Sequence, residues 1–389
     1  MAAALTLFEN ADLQVPEALG AGTVAVAGGT IVAVGELPPL DDAWVAERID
    51  CGGRVLVPGF VDCHAHLSGG GGEDGASTKV PAPQLSAYTT AGVTSVVGLL
   101  GTDDTTRTTK ELLAAVRGLR EQGLNAWAWT GGYHLPPTTL SGSVKEDLTH
   151  VTELIGIGEV AISDHRSSQP TLDELLRIAS EAHVAGLLTR KAGVLHLHLG
   201  DGERGLDLVR RALDQSELPP RVFHPTHVNR RKALFEEGLE LARRGVHLDF
   251  TAFPVADDED AWPAEVALAM ALDAGIPVGQ LSVSSDGGGC LPEFDADGRM
   301  TRMDVGSPSA LPETLTKAVA LGVPMATALA AFTSSPADYL RLSGKGRIAP
   351  GMDADLQLLG DGGMPGDVMI RGLWHVRDGA PVRRGVFES

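Results

Sequence analysis

The stretch VLVPGFVDCHAHL, residues 55–67, joins a short apolar run to two histidines that stand one residue apart. Because the run is short and rich in β-branched residues, it predicts a buried strand. Side chains alternate between the two faces of a strand, so His64 and His66 share one face. The segment SGGGGED, residues 68–74, follows directly. Together the two segments predict a strand that ends in a metal-competent pair and is followed by a glycine-rich loop.

The same order of an apolar run, a polar turn and a helix-periodic segment recurs along the middle of the chain. Helical candidates such as KELLAAVRGLREQG and TLDELLRIASEAHVAG have apolar residues three or four positions apart and end in glycine. Eight such units over about 250 residues predict an α/β fold of the (β/α)8 TIM barrel type. A doubly wound sheet is the alternative, but eight regular units favour closure. The other strand candidates are TSVVGLLG (94–101), NAWAWTGG (125–132), EVAISDH (159–165), VLHLHLG (194–200), VFHPTHV (222–228), VHLDFTAF (246–253) and LSVSSDGGG (281–289).

The two ends of the chain have a different pattern from the middle. Both contain alternating apolar runs broken by glycines, such as GTVAVAGGTIVAVGE near the start and DADLQLLG near the end, and neither has a long helical segment. We therefore expect residues 1–55 and 351–389 to pair into one small β-sandwich domain, with residues 56–350 forming the barrel.

Composition narrows the possible partners and the compartment. The net charge of -20 argues against nucleic acid or an anionic membrane as a partner, because both repel an acidic surface. No apolar run approaches the ~20 residues that a membrane span needs, and the N-terminus lacks the basic flank of a signal peptide. The three cysteines are scattered and odd in number, which fits a reducing compartment. The sequence thus predicts a cytoplasmic protein.

Three further metal-competent residues fall at predicted strand ends: His198 at the fifth, His227 at the sixth and Asp286 at the eighth. Barrel enzymes build their active sites on this face, so we expect these residues to converge with the first histidine pair. Imidazole and carboxylate ligands suit zinc, with iron, cobalt or manganese as alternatives. His196 lies one layer lower and is expected to be a hydrogen-bonded core residue. His224 should face the opposite side of a regular strand from His227.

Several motifs resemble a known family. VPGFVDCHAH, His198, THVNR and SSDG resemble the amidohydrolase superfamily, and GGGGE, GLLGTD, TGGYH and AISDHRS resemble its isoaspartyl (β-aspartyl) dipeptidases in particular. The resemblance runs along nearly the whole chain, including the split small domain. It implies a zinc-dependent hydrolase of β-aspartyl dipeptides that assembles into a large homo-oligomer such as an octamer.

This chain departs from the resemblance at the fourth strand. In those dipeptidases a carboxylated lysine at the end of that strand bridges two zinc ions, whereas alignment through AISDHRS places Glu159 there. A carbamate and a glutamate each present one negative charge on two oxygens. Glutamate is shorter, and the glycines at 156 and 158 would permit a closer approach of the backbone. We expect two zinc ions per chain bridged by Glu159. The alternative is that Glu159 is an ordinary strand-entry charge and the site holds one metal.

The resemblance also implies a set of substrate-binding residues. Glu73 would bind the free α-amino group of the aspartyl residue, and the glycine run would let its loop fold back over the metals. Arg166 and Arg230 would bind the two carboxylates of the dipeptide. The alternative to the folded loop is a flexible solvent loop, which would not explain the histidine pair just before it. Each arginine taken alone could be an ordinary surface residue, but both follow the ends of strands that carry metal ligands.

Three more residues complete the predicted pocket. Tyr133 would polarise the scissile carbonyl, although a half-buried packing tyrosine is the alternative. Thr102 would line the pocket, or could simply cap a helix. Cys290 stands where these dipeptidases carry a serine, which leaves the finer substrate preference open.

The mechanism implied is hydrolysis by a metal-bridging hydroxide, with Asp286 as general base and then general acid. Another amidohydrolase activity, on cyclic amides or N-acyl-amino acids, would use the same metals but would not need Glu73 and both arginines together. A non-catalytic scaffold would be expected to have lost ligands, which this chain keeps.

Overall fold

The computed structural model describes residues 5–38, 40–294 and 300–388. The chain opens with five strands whose apolar residues are broken by glycine turns, as the sequence pattern predicts. These strands belong to a sheet that the C-terminal residues complete. They are β1 (Leu5–Gln14), β2 (Ala18–Ala27), β3 (Thr30–Gly35), β4 (Val45–Asp50) and β5 (Val55–Pro58).

Eight parallel strands then form a closed barrel. The first six pair in chain order, and the last two pair with each other beside the sixth. The ring closes where the amide of His66 donates to the carbonyl of Gly287 at 2.8 Å and the amide of Asp286 donates to the carbonyl of His64 at 3.1 Å. The (β/α)8 prediction is therefore confirmed. The strands are β6 (Phe60–Ala65), β7 (Val93–Gly98), β8 (Asn125–Thr130), β9 (Leu154–Ile162), β10 (Leu195–Leu199), β11 (Phe223–Thr226), β12 (Leu248–Thr251) and β13 (Leu281–Ser284).

Helices alternate with these strands and cover the outside of the barrel. Three begin where the sequence offers a hydroxyl: the side chains of Thr108, Ser143 and Thr171 each accept a hydrogen bond from the amide three residues on. No helix in the described ranges is long and apolar enough to cross a membrane. The helices are α1 (Leu85–Thr89), α2 (Thr109–Glu121), α3 (Val144–His150), α4 (Leu172–Thr189), α5 (Asp207–Gln215), α6 (Lys232–Ala242), α7 (Ala264–Asp273), α8 (Ala310–Ala320), α9 (Met325–Phe332) and α10 (Ser334–Tyr339).

Two strands that pair antiparallel follow the last barrel strand, and four short strands come last in the described chain. The final four continue the sheet opened by β1–β5, in the order β19-β18-β17-β16-β5-β1-β2-β3, with β4 beside β1. Strands from both ends thus share one sheet with its own apolar core, and the β-sandwich domain expected from these two segments stays a prediction. Residues 1–4 and 389 of that predicted domain lie outside the described residues, and its boundaries at 55 and 351 stay a prediction. The strands are β14 (Cys290–Phe294), β15 (Met300–Val305), β16 (Leu356–Leu359), β17 (Pro365–Ile370), β18 (Leu373–Arg377) and β19 (Ala380–Pro381).

Candidate active site

Six metal-competent side chains meet inside one end of the barrel. They come from five different strands or the residues that follow them, and every one is buried. The glutamate stands within β9 rather than at its end, since that strand continues for three more residues. The six residues are His64, His66, Glu159, His198, His227 and Asp286.

The Glu159 carboxylate lies between the histidines. Its Oε1 is 3.6 Å from Nε2 of His66, whereas its Oε2 is 3.1 Å from Nδ1 of His198 and 3.6 Å from Nε2 of His227. The two oxygens therefore face different histidines. A Cβ at position 158 would stand 2.6 Å from Cβ of His196, so glycine there allows β9 and β10 to pack closely.

The Asp286 carboxylate faces the first histidine pair. Its Oδ1 lies 3.1 Å from Nε2 of His66 and 3.4 Å from Nε2 of His64. Both Asp286 and His227 have left-handed backbone conformations, with φ of 52° and 60°. Each follows a strand end, where the chain turns away and aims the side chain back over the barrel.

The two carboxylates of this cluster are held in their ionised form and would attract a cation. Burial alone would raise the pKa of Glu159, but His64 and His198 hold it well below its usual range. Burial likewise opposes a low pKa for Asp286, which His64 and His66 outweigh. Burial opposes protonation of His64, yet Glu159 and Asp286 raise the pKa of His64 to about 9. The cluster therefore keeps two carboxylates ionised in a buried site.

These residues fit a divalent metal centre. Nε2 of His64 and Oδ1 of Asp286 are buried and have no hydrogen-bond partner among the described residues. Three overlapping triads drawn from the six residues each keep their ligand atoms within 4.8 Å of one another. Imidazole nitrogens and carboxylate oxygens in this arrangement suit zinc and its neighbours in the first transition row. Unpartnered buried polar atoms are costly unless a ligand satisfies them.

A seventh residue, Asp164, lies between this cluster and Arg166 and contacts both. Its Oδ2 lies 3.0 Å from Nε2 of His198 and accepts a hydrogen bond from Nη2 of Arg166 at 2.7 Å, while its Oδ1 accepts from Nε of Arg166 at 3.0 Å. Sequence reasoning missed this residue, although it stands within AISDHRS two positions before Arg166. Asp164 orients a histidine of the metal cluster and an arginine of the pocket at the same time.

Replacing Asp164 with asparagine should therefore lower kcat/KM by about 10- to 100-fold, because the amide loses one acceptor and the charge that holds both partners. Steady-state kinetics with metal analysis measures the effect. Asp214→Asn is the matched control, since Asp214 also pairs with an arginine, Arg244 at 2.7 Å, but on the exposed surface. Equal activity of the two variants would contradict an orienting role for Asp164.

Other buried groups hold the strand ends in place. Oδ1 of Asp62 accepts the amide of Ser285 at 3.1 Å, and the Ser285 hydroxyl donates to Oδ2. Burial raises the pKa of Asp62 to about 6. The hydroxyl of Thr251 lies 2.7 Å from Nδ1 of His227. These partners come from strands far apart in sequence, so no local signal marked them.

The metal cluster opens into a cavity of about 940 Å³. On its wall Glu73 is almost buried, with 8% of its side chain exposed, and its Oε1 lies 3.4 Å from Nη1 of Arg166. The other carboxylate oxygen, Oε2, has no hydrogen-bond partner within the described ranges. Every predicted site residue except the deeper His64 lines this cavity: His66, Glu73, Thr102, Tyr133, Glu159, Arg166, His198, His227, Arg230, Asp286 and Cys290.

The glycine run before Glu73 is folded tightly. Gly71 has φ of 74°, and a Cβ there would stand 2.5 Å from the carbonyl oxygen of Thr78. The Arg107 guanidinium donates to the carbonyls of Ser68, Gly70 and Val80 and so ties the loop together. The loop therefore needs glycine for close backbone contact, and it returns Glu73 to the cavity.

Arg230 and Tyr133 complete the polar wall. Nη1 of Arg230 donates to the carbonyl of Leu199 at 2.8 Å, and its Nε lies 3.1 Å from Oδ1 of Asp201. The Tyr133 hydroxyl lies 2.8 Å from Nδ1 of His198. Burial, with Glu159 nearby, raises the pKa of Tyr133 well above its usual value. The phenol is therefore a protonated hydrogen-bond donor at neutral pH.

Cys290 lies on the same wall and should react slowly with alkylating agents. Burial, with the Glu73 carboxylate nearby, raises the pKa of its thiol to about 12. Alkylation needs the thiolate, so at pH 7.5 we expect Cys290 to react about a thousandfold more slowly than an unperturbed thiol. Its rate should keep rising with pH where N-acetylcysteine has already reached a plateau. Mass spectrometry of the peptide after timed iodoacetamide exposure measures this rate, and parity with N-acetylcysteine would contradict the raised pKa.

The prediction for His224 is wrong. Its Nδ1 lies 2.9 Å from Nδ1 of His196 inside the barrel, not on the face opposite to the site. The alternation of a regular strand does not reach His227, because β11 ends at Thr226 and His227 is left-handed. His196 is a buried, hydrogen-bonded core residue, as expected. His134, left unassigned by the sequence, lies 2.9 Å from Asp104 and is no member of the cluster.

Comparison with known proteins places this geometry in a family. A model of the amidohydrolase family matches residues 55–374. The β-aspartyl dipeptidase of Fervidobacterium islandicum AW-1, solved in complex with the β-Asp-Leu dipeptide, is 38% identical to this chain. That match covers 97% of this chain and 98% of the dipeptidase, with a TM-score of 0.89.

Two other relatives are more distant. Dihydropyrimidinase from Brevibacillus agri is 17% identical, with a TM-score of 0.68 over 98% of this chain and 97% of that one, which is a likeness of fold. Imidazolonepropionase from Acidiphilium cryptum (strain JF-5) is 39% identical over 111 residues, 28% of this chain. The match covers only 26% of that protein, about a quarter of its length.

Proposed function

The chain belongs to the amidohydrolase family and, within it, to the β-aspartyl dipeptidases, and from this premise we propose that it hydrolyses the side-chain amide bond of β-aspartyl dipeptides. One observation carries the proposal. Glu73, Arg166 and Arg230 line the same cavity as the buried cluster of histidines and carboxylates. A β-aspartyl dipeptide presents one ammonium and two carboxylates around the bond to be cut, which matches this set of charges.

We assign two divalent cations, preferably zinc, to the cluster. His64, His66 and Asp286 would hold one cation, and His198 and His227 the other, with Glu159 shared between them. Bound there, the cations supply Lewis acidity that lowers the pKa of water toward neutrality and polarises the scissile carbonyl. The unpartnered Nε2 of His64 and Oδ1 of Asp286 support this assignment.

The protein's own groups then move the proton and stabilise charge. Asp286 accepts a proton from the attacking water, whose oxygen bonds to the side-chain amide carbon. Asp286 passes that proton to the leaving amine as the carbon–nitrogen bond breaks. Tyr133 donates a hydrogen bond to the carbonyl oxygen as negative charge develops on it.

Recognition rests on the charged wall of the cavity. The unpartnered Oε2 of Glu73 is available to an ammonium group. Arg166 and Arg230 line the same cavity and would bind the two carboxylates. Thr102 and Cys290 line the same cavity and would contact the rest of the substrate. The homo-oligomer and the cytoplasmic location stay predictions.

The test compares kcat/KM of the purified protein on β-Asp-Leu, α-Asp-Leu, hydantoin and N-acetyl-aspartate. We expect β-Asp-Leu to exceed each of the others by about 10²-fold or more, because a misplaced charge leaves a buried partner unpaired. Equal turnover of the α- and β-linked isomers would refute the proposal. Preferential turnover of hydantoin or N-acetyl-aspartate would support the alternative amidohydrolase activity instead.

A matched pair of variants sharpens this comparison. Glu73→Gln should remove most of the preference for β-Asp-Leu, because the neutral amide cannot pair with the ammonium group. Asp74→Asn changes the adjacent acid, which is exposed, and should leave the preference intact.

A further inference from the structure

A chain of three histidines runs from the candidate metal centre into the barrel core. Nδ1 of His64 lies 2.8 Å from Nε2 of His196, and Nδ1 of His196 lies 2.9 Å from Nδ1 of His224. All three side chains are fully buried. Trp129 stacks on His196 with 4.9 Å between ring centroids and 14° between planes. The contact fixes the plane of the middle ring, so both of its nitrogens stay aimed at the neighbouring rings.

A glycine on the neighbouring strand leaves space for the middle ring of the three histidines. A Cβ at position 158 would stand 2.6 Å from Cβ of His196, so the glycine of β9 makes space for the ring. Buried imidazoles are costly unless they are hydrogen-bonded, and an apolar side chain would fill the same layer without that cost. Packing alone therefore does not account for three imidazoles joined in series.

Only two proton arrangements satisfy both contacts when the rings are neutral. A neutral imidazole carries one N–H and one lone pair. In the inward arrangement, His64 donates from Nδ1 to His196, which donates from its own Nδ1 to His224. In the outward arrangement both hydrogen bonds are reversed, and the proton of His64 then sits on its Nε2.

The position of Nε2 of His64 distinguishes the two arrangements. This atom lies 3.4 Å from Oδ1 of Asp286 and 3.6 Å from Oε2 of Glu159, and it makes no hydrogen bond to a described residue. A metal at this point requires the lone pair of Nε2. Only the inward arrangement leaves that lone pair free.

We propose that His196 and His224 are positioning residues that hold His64 in the tautomer able to bind metal. The inference rests on the metal site of the proposed function and deepens it. A cation at Nε2 of His64 is compatible with the inward arrangement alone, so the metal-loaded site has one defined tautomer in each of the three rings. His224, the last ring, lies beside Cys63 and Asp249 in the barrel core.

The first test is spectroscopic and uses the wild-type full-length chain. Histidine labelled with ¹⁵N reports which ring nitrogen carries the proton, and spectra are compared for metal-free and Zn²⁺-loaded protein. His196→Gln and His224→Asn provide the resonance assignments. In the loaded protein we expect His196 to be protonated at Nδ1 and His224 at Nε2. Protonation of His196 at Nε2 in the loaded protein would overturn the inference.

The second test measures Zn²⁺ release to a chelator. His196→Leu removes the acceptor for His64 and should speed release by about 10- to 100-fold. His196→Gln keeps an acceptor oxygen at the same reach and should restore release to within a few-fold of wild type. His247→Leu is the control for lost packing. It removes another buried histidine, whose ring lies 5.2 Å from that of His224 but takes no part in the hydrogen bonds that join His64, His196 and His224.

The outcomes separate this inference from the function it rests on. Equal acceleration by His196→Leu and His247→Leu, or no rescue by glutamine, would reduce His196 to a packing residue and overturn the inference alone. Wild-type protein that binds no Zn²⁺ at His64 would overturn the proposed function and the inference together. Cleavage of β-Asp-Leu with normal metal content but the outward arrangement would leave the function standing.

Discussion

Asp286→Asn should lower kcat on β-Asp-Leu by ~10²-fold or more while changing metal content much less, because asparagine keeps a metal-facing oxygen but cannot accept a proton. The substitution is also mild for the backbone. Asp286 has φ of 52°, a left-handed conformation that asparagine adopts as readily as aspartate. The variant thus removes the proton acceptor without a new conformational strain.

Kinetics and metal analysis on the same sample test this expectation. Asp286→Ala is the companion variant, since alanine removes the ligand oxygen as well and should lose metal along with activity. If asparagine keeps kcat within a few-fold of wild type while the metal stays bound, Asp286 is not the base. If asparagine loses metal to the same extent as alanine, its main role is that of a ligand.

Glu159→Gln should lose both bound metal and activity. One oxygen of the carboxylate faces His66 and the other faces His198 and His227, so its charge is shared across the cluster. A neutral amide cannot offset the charge of two cations brought together in a buried site. Glu153→Gln is the matched control, because Glu153 stands just before the same strand and pairs with Arg117 at 2.9 Å instead.

Testing whether assembly of the metal site needs carbon dioxide gives a second measurement on Glu159. A bridging lysine must first react with carbon dioxide, whereas a glutamate is complete when translated. Metal-free wild-type protein should therefore regain two metals per chain and full activity from zinc alone, and added bicarbonate should change neither rate nor extent. Full metal content in Glu159→Gln, or a single metal in wild type, would favour the alternative in which Glu159 is an ordinary charge.

Much of the architecture could be predicted because its signals are local. Apolar runs followed by helix-periodic segments mark strands and helices through side-chain spacing alone. Parallel barrel strands all end on one face, so residues at strand ends, such as His198 and Asp286, could be assigned to a common site without any coordinates. The substrate-binding roles of Glu73, Arg166 and Arg230 came from the family resemblance, because each of these charges alone could belong to an ordinary surface residue.

The sequence by itself determined the order of the barrel's strands and helices, the strand-rich pattern of both chain ends and the residue types that reach the barrel's open end. Only the tertiary structure decided which of them touch. Ring closure between β6 and β13 brings Asp286 to His64, the position of β9 sets Glu159 between the histidines, and the turn at His227 leaves His224 inside. Asp164, Thr251 and His196 gain their partners in the same way. Periodicity is a property of neighbours along the chain, whereas these contacts join residues tens to hundreds of positions apart and exist only once the barrel has closed.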